Sequence, residues 1–191
     1  MTEFYLVRHG QTDWNIEGRY QGQTDLPLNA AGRAEASHLS EELAGIPFTA
    51  VYSSDLRRAR ETAEILAAPS GRPVQLDTRL REISLGDWEG QLFTEIEARY
   101  PAAWAERQRD ALHAYAPGGE SIAQVAARVA AAATEIAQAH PAGPVLIVSH
   151  GVALATLLCQ ARRRPLAEAY QAIPPNSHPE VVAWPPEGPE A

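Results

Sequence analysis

Two short apolar runs in this chain each end on a histidine followed by glycine: Phe4-Tyr5-Leu6-Val7-Arg8-His9-Gly10 and Val145-Leu146-Ile147-Val148-Ser149-His150-Gly151. Arg8, immediately before the first histidine, adds a permanent charge whose forked donors suit the planar, bidentate recognition of phosphate. A continuous run of large and β-branched apolar residues bounded by glycine reads as a buried strand. Ligands of a parallel sheet bind beyond the carboxyl ends of its strands, so the two imidazoles can face one pocket although they lie far apart in the chain. That combination points to chemistry on an anion. A histidine that attacks phosphorus must be neutral, oriented through its other ring nitrogen, and surrounded by donors that neutralise the phosphoryl oxygens. Protonation would disable an ordinary histidine near pH 6.5. Gly10 permits close approach of the backbone.

Two further segments carry groups of the right type. Leu56-Arg57-Arg58-Ala59-Arg60-Glu61 holds three arginines. Arg57 and Arg60 lie about one helical turn apart, while Arg58 projects elsewhere at roughly 100° per residue. Arg58 is the one expected in the pocket, in a first helical turn where backbone N–H groups and the helix dipole also favour an anion. Arg57 and Arg60 read as surface charges partnered by Glu61 and Glu64. Glu82 precedes Ile83-Ser84-Leu85-Gly86-Asp87-Trp88-Glu89-Gly90. A carboxyl beside apolar and aromatic groups can have its pKa raised enough to protonate a leaving oxygen.

Composition removes several alternatives. The formal net charge is −8, whereas a nucleic-acid binder would show a basic face. All sixteen basic residues are arginine, which excludes a lysine Schiff base, a pyridoxal site and a lysine-dependent P-loop. The single cysteine, Cys159, allows no intrachain disulfide and no thiolate zinc site. Its leucine neighbours suggest a buried structural thiol. Zinc held by His9 and His150 would need a third ligand, and His38, His113, His140 and His178 fall in unrelated helix or loop positions. The chain enters a strand almost at once, leaving no room for a signal peptide, and no apolar stretch approaches the ~20 residues of a membrane span. The expectation is a cytoplasmic protein with no membrane and no nucleic-acid partner. No helix has a surplus apolar face that would fix an oligomeric state.

These residues need elements to position them. After the first strand, residues 10–27 read as an irregular polar loop. Asn29 caps a helix from Ala30 to about Ala44, ended by Gly45 and Pro47. A strand over Thr49–Tyr52 leads to Asp55, a good N-cap for a helix from Leu56 to about Ala67. Val74–Leu76 is a third strand. Helices over about 92–100 and 102–114 break at Pro101. A long helix follows Ser121 to about Ala139, then the strand over 145–149, a helix over about 152–162 and a short helix near 166–172. The last strand, Val181–Trp184, is placed at an edge where it can run antiparallel, and the tail from Pro185 should fray. Strands alternating with helices predict an α/β fold, a three-layer sandwich with a mostly parallel central sheet and helices on both faces. The expected organisation is one domain over residues 1–191, its insertion at about 80–120 forming a helical and loop lid over the sheet's carboxyl edge.

Arg8-His9-Gly10-x-Thr12-x-x-Asn15, then Gln21-Gly22, Asp25-Leu26-Pro27-Leu28 and Gly32, resembles the histidine phosphatase superfamily in its phosphoglycerate mutase-like branch. So do Ser53-Ser54-Asp55-Leu56-x-Arg58-Ala59-x-x-Thr62-Ala63, Glu82 with Gly86-x-Trp88-Glu89-Gly90, Pro117-Gly118-Gly119-Glu120-Ser121, and Ser149-His150-Gly151. The resemblance implies a two-step phosphoryl transfer. His9 would become phosphohistidine while Glu82 protonates the departing alcohol. Arg8, Arg58 and His150 would hold the phosphoryl oxygens, with Asn15, Gln21, Gly22 and the Gly151 N–H completing the cradle. Water activated by Glu82 would then release phosphate, with no metal and no cofactor. Within the family the compact segment after Glu82 looks more like the broad-specificity and α-ribazole phosphate phosphatases than like the mutases, whose longer insertion carries extra basic residues. The implied partner is a small-molecule phosphate ester. Arg99, Arg107 and Arg109 could stand in for those basic residues, though a solvated helix face accounts for them more simply. A cofactor-dependent mutase is the runner-up, and a non-catalytic phosphate-binding module is a distant third, since His9, Glu82, Arg58 and His150 are all present.

Overall fold

In the computed structural model, which describes residues 1–186, alternating strands and helices build a five-stranded sheet. In chain order the elements are β1 (Thr2–Arg8), α1 (Asp13–Glu17), α2 (Ala30–Leu43), β2 (Ala50–Ser53), α3 (Arg57–Ala67) and β3 (Val74–Leu76). Then come α4 (Ile96–Arg99), α5 (Pro101–Arg109), α6 (Ile122–Ala139), β4 (Val145–Ser149), α7 (Gly151–Ala161) and β5 (Pro179–Trp184). The strand order is β3-β2-β4-β1-β5. All neighbours are parallel except β5, which lies antiparallel along β1 at the edge. The expected α/β sandwich with a mostly parallel sheet is what forms.

Alternation along the central strands decides which side chains meet which layer. Phe4 and Leu6 of β1 and Val145 and Ile147 of β4 join one core with α6 and α7. Val7, Leu146 and Val148 face the opposite side and pack against Leu39 and Leu43 of α2 and Ala59, Ala63 and Leu66 of α3. The helices that follow β1 and β4 therefore lie on opposite faces, which leaves a crevice beyond the carboxyl ends of these adjacent strands. The register Phe4↔Val145 through Arg8↔Ser149 carries His9 and His150 side by side into that crevice. The segment between β3 and α6 is anchored: Trp88 and Ile96 are buried in the α6–α7 core.

The boundaries depart from expectation in three places. The loop after β1 contains a helix, α1, made by a reciprocal capping box in which Thr12 Oγ1 accepts from Asn15 N and the Asn15 side chain accepts from Thr12 N. Asp55 does not cap α3; its carboxylate is taken by Arg81 at 2.5 and 2.7 Å. The cap comes from another loop, where Asp25 Oδ1 accepts from Arg57 N at 2.6 Å. Helix α5 stops at Arg109 rather than near Ala114, because Asp110 Oδ1 accepts the N–H groups of Leu112 and His113 and turns the chain. The tail from residue 187 onward lies outside the described residues.

Candidate active site

His9 is 2 % exposed, one residue beyond β1, with its backbone N–H on Ser149 O. Its Nδ1 lies 2.8 Å from the Gly10 carbonyl oxygen, which can only accept, so Nδ1 carries the ring proton. The lone pair of Nε2 is left facing the Arg58 Nε–H at 3.2 Å. Burial first, then the charges of Arg58 and Arg8, hold this imidazole well below the usual histidine range, against the opposing pull of the Gly10 carbonyl. The ring is thus oriented through Nδ1, as an attacking histidine would have to be. Gly10 is required here, because a Cβ would collide with the Gly32 carbonyl at the start of α2.

Arg58 is fully buried, whereas Arg57 and Arg60 are exposed and pair with Glu61 and Glu64. The Arg58 guanidinium donates to the carbonyl oxygens of Thr24 at 2.8 Å and Gly22 at 2.7 Å. Desolvation pulls its pKa down to about 10 against the opposing charges of Glu82, Asp25 and Glu89, so it stays charged at neutral pH. Gly22 has φ +51°, and a side chain there would run into Glu89, whose carboxylate holds Gln23 N, Thr24 Oγ1 and Leu85 N. Glu89 thus fixes the loop that fixes Arg58. Thr62 adds a second tie, accepting from Gly10 N and donating to Arg58 O.

His150 is fully buried, its ring centroid 5.2 Å from that of His9. Its Nε2 meets Ser54 Oγ at 2.8 Å. Ser54 Oγ also accepts from Leu56 N, and its own hydrogen is free to go to Nε2, an arrangement that puts the proton of His150 on Nδ1. Burial, Arg58 and His9 lead the causes that lower this imidazole too. Among the described residues His150 Nδ1, Arg8 Nε and Gln21 Oε1 are buried without a hydrogen-bond partner. Native structures leave few such atoms unpaired, and a ligand is one way to satisfy them. Arg8 Nη1 donates to Pro174 O at 3.1 Å.

Glu82 shares the cavity with the apolar side chains of Ile83, Leu85 and Val152, and it also meets polar backbone groups that the sequence did not disclose. Its carboxylate accepts from Val152 N and Ala153 N at 3.1 Å and from Ile83 N at 3.0 Å. It therefore caps α7, which gets no side-chain cap from His150 itself. Arg8, His9, Asn15, Gln21, Gly22, Arg58, Glu82 and Gly151 all line one cavity of about 190 Å³, whereas His150, its ring beside that of His9, is not part of the lining. Ordinary settings account for His38, His113 and His140, which meet Glu42, Asp110 and Tyr52 respectively, and His178 is exposed. Cys159 is buried on α7 and its thiol is pushed up by burial. Among the described residues no group of three histidine, cysteine, aspartate or glutamate side chains is placed to hold a metal ion.

The outer wall was only partly foreseen. Arg99 and Arg109 are surface charges paired with Glu95 and Glu106. Arg107 is not on a solvated face: it lines the cavity, its guanidinium 4.1 Å from the Tyr170 ring centroid and 5.5–5.9 Å from those of Tyr20, Trp88 and Trp104. Tyr20, Phe93 and Tyr170 line the same wall, while Trp88 is core and Tyr115 is exposed. Ser54, Thr62, Glu89 and Asn176, which donates to His9 O at 2.6 Å, support the site without having been assigned to it from sequence.

A sequence profile of the histidine phosphatase superfamily (branch 1) matches residues 4–191. The chain belongs to that superfamily. Among relatives of this histidine phosphatase is the glucosyl-3-phosphoglycerate phosphatase of Mycobacterium tuberculosis, 40% identical over 171 residues, covering 85% of this chain and 76% of that protein. A Salmonella choleraesuis protein named as a probable phosphoglycerate mutase is 37% identical over 158 residues, covering 83% of this chain and 74% of its own length. The crystal structure of the alpha-ribazole phosphatase from Shigella flexneri superposes with a TM-score of 0.87 at 26% identity, covering 95% of this chain and 90% of that one. The family expected from the motifs is the family found.

Proposed function

We propose that this histidine phosphatase is a metal-independent phosphomonoesterase that acts on small phosphorylated metabolites through a phosphohistidine at His9. The observation that carries the reading is the fixed tautomer of His9: Nδ1–H on the Gly10 carbonyl, Nε2 turned to Arg58. In the first step the Nε2 lone pair attacks phosphorus, the ester P–O bond breaks, and Glu82 gives its proton to the departing oxygen. Arg58, the Arg8 Nε–H and the His150 Nδ1–H receive the phosphoryl oxygens, supplying the charge that magnesium supplies in other phosphoryl transfers. Asn15 has its Oδ1 engaged by Thr12, so its amide NH₂ is the group it offers. Water then attacks the phosphohistidine, Glu82 takes the water proton, and the P–N electron pair returns to His9.

Turnover of para-nitrophenyl phosphate in the presence of a chelator is the expected result, with acid-labile, base-stable phosphate trapped on the chain after rapid quenching. His9→Ala should remove both signals and keep the fold. Label recovered on serine or aspartate, or activity lost to the chelator, would refute the reading. A mutase reading gains one observation, the presence of Arg107 in the cavity wall, where a second anionic group of a substrate would meet it. Incubation with 3-phosphoglycerate and a trace of 2,3-bisphosphoglycerate separates the two. The phosphatase releases inorganic phosphate or does nothing, and rapid formation of 2-phosphoglycerate without phosphate release would establish the mutase.

A further inference from the structure

We infer that Arg128, together with Glu120, is a positioning residue for Glu82, a clamp behind the loop that sets where the Glu82 carboxyl meets the leaving oxygen. The inference rests on the phosphatase reading above. Arg128 projects from α6 and uses all five of its guanidinium hydrogens. Nε and Nη2 donate to the two carboxylate oxygens of Glu120, both at 2.9 Å. Nη1 donates to the carbonyl oxygens of Arg79 at 2.8 Å and Arg81 at 2.6 Å, and Nη2 also donates to that of Glu82 at 2.9 Å. Glu120 Oε2 in turn accepts from Ser84 N at 2.9 Å. One partly buried ion pair therefore grips the backbone of residues 79–84 by three carbonyls and one N–H.

Those residues need such a grip. Beyond the short 3₁₀ turn Thr78–Leu80 they belong to no helix or strand that would place them. Residue 82 is held at both ends, its carbonyl by Arg128 and by Gln23 Nε2 at 3.1 Å, its carboxylate by the N–H groups of α7. Arg128 is not among the residues lining the cavity, so it does not touch the reacting atoms itself; its hydrogen bonds reach the site through the loop that carries Glu82. Its loss frees residues 81–84 and leaves the Glu120 charge without its partner. The loop's start keeps the bond from Ser149 Oγ to Leu80 O, and Arg81 keeps Asp55, so the fold has other anchors there.

Misplacement of a catalytic group by about 1 Å can cost a hundredfold in rate, and it costs most where proton donation matters most. An alkyl phosphate needs the proton from Glu82; para-nitrophenolate leaves without it. The test is kcat/KM, which reports the first transfer to His9, for β-glycerol phosphate and para-nitrophenyl phosphate in Arg128→Met, Arg128→Lys and Glu120→Gln. Arg128→Met should lose at least tenfold more on the alkyl ester than on the aryl ester. Arg128→Lys should fall between it and the wild type, since an ammonium can serve carbonyls but not the bidentate pair, and Glu120→Gln should shift the ratio the same way by less. Equal losses on both esters, or an unchanged ratio, would overturn the inference. Should Arg128→Met fail to fold by circular dichroism, the ratio in the other two variants decides. Wild-type protein inactive on both esters would defeat the phosphatase reading and this inference together, whereas an unchanged ratio in active variants defeats this one alone.

Discussion

The direction in which Arg58 points separates it from neighbours of the same type. Three arginines share one turn of α3, yet only Arg58 is taken inward, where the Gly22 and Thr24 carbonyls hold two nitrogens and leave Nε on His9. A charged donor preorganised in a dry site contributes most where charge develops in the transition state. Arg58→Ala should therefore cost about 2.7–4 kcal/mol of transition-state stabilisation, the range for losing an oxyanion-type donor. Arg57→Ala, which removes an exposed i,i+4 pair with Glu61, should leave kcat/KM nearly unchanged and cost only the ~0–1 kcal/mol of folding stability that surface pairs contribute. Steady-state kinetics on one aryl phosphate decides it, and equal losses would show that the Arg58 contacts do not govern turnover. The phase of Arg58 was legible in the sequence because helical geometry fixes it once the helix start is known. The place of Arg107 was not. Helix α5 has no buried residue and so no apolar stripe to orient it, and the four rings that receive the guanidinium come from four separate segments.

Among elements, those with long periodic patterns were readable and those built by distant side chains were not. Strands β1 and β4 announce themselves as apolar runs, and α2 and α6 carry their own caps in Asn29 and Ser121. Helix α1, five residues long, has no buried residue and therefore no hydrophobic signal; only the Thr12–Asn15 box marks it. The caps of α3 and α7 come from Asp25 and Glu82, which local sequence cannot disclose. Borrowing a cap across the fold ties helix stability to loop position, and Asp25 accordingly links the loop carrying Gly22 and Thr24 to the helix carrying Arg58. Replacing an N-cap acid by alanine costs roughly 0.5–2 kcal/mol. Asp25→Ala should thus lower the thermal midpoint by about 2–4 °C per kcal/mol lost in a protein of this size. Asp25→Asn, an equally good cap, should leave it nearly unchanged. Scanning calorimetry of the pair provides the check, and equal midpoints for both variants would show that the cap adds nothing.

At the scale of the whole molecule, the sheet gathers two buried imidazoles, the buried guanidinium of Arg58 and the partly buried one of Arg8 at one edge of a chain with net charge −8. Burial, followed by the Arg58 charge, lowers both His9 and His150 well below an ordinary histidine. The sign follows from proton counting: stability rises with pH wherever the unfolded chain binds more protons than the native one. Above about pH 6.5 neither state protonates these rings, and the contribution is fully present. As pH falls through that value the unfolded chain takes up protons that the native site refuses. Stability should then drop by about 1.4 kcal/mol per pH unit for each imidazole until the folded-state values are reached. The carboxylates act in a lower window. Asp55 is lowered by Arg81, and Glu120 is lowered by Arg128 despite its burial, so their stabilisation persists above about pH 4 and is lost only below it. Urea unfolding at steps between pH 7.5 and 4.5 should show a steep loss in the wild type and a flatter one in a His9→Asn, His150→Asn double variant. Parallel curves would remove the two histidines from the account. The same lowering moves the acid limb of kcat/KM below pH 6.5, the value expected for an unperturbed nucleophile, because His9 keeps its Nε2 lone pair there. An acid limb centred near 6.5 would require a far wetter imidazole than one that is 2 % exposed and faces Arg58 at 3.2 Å.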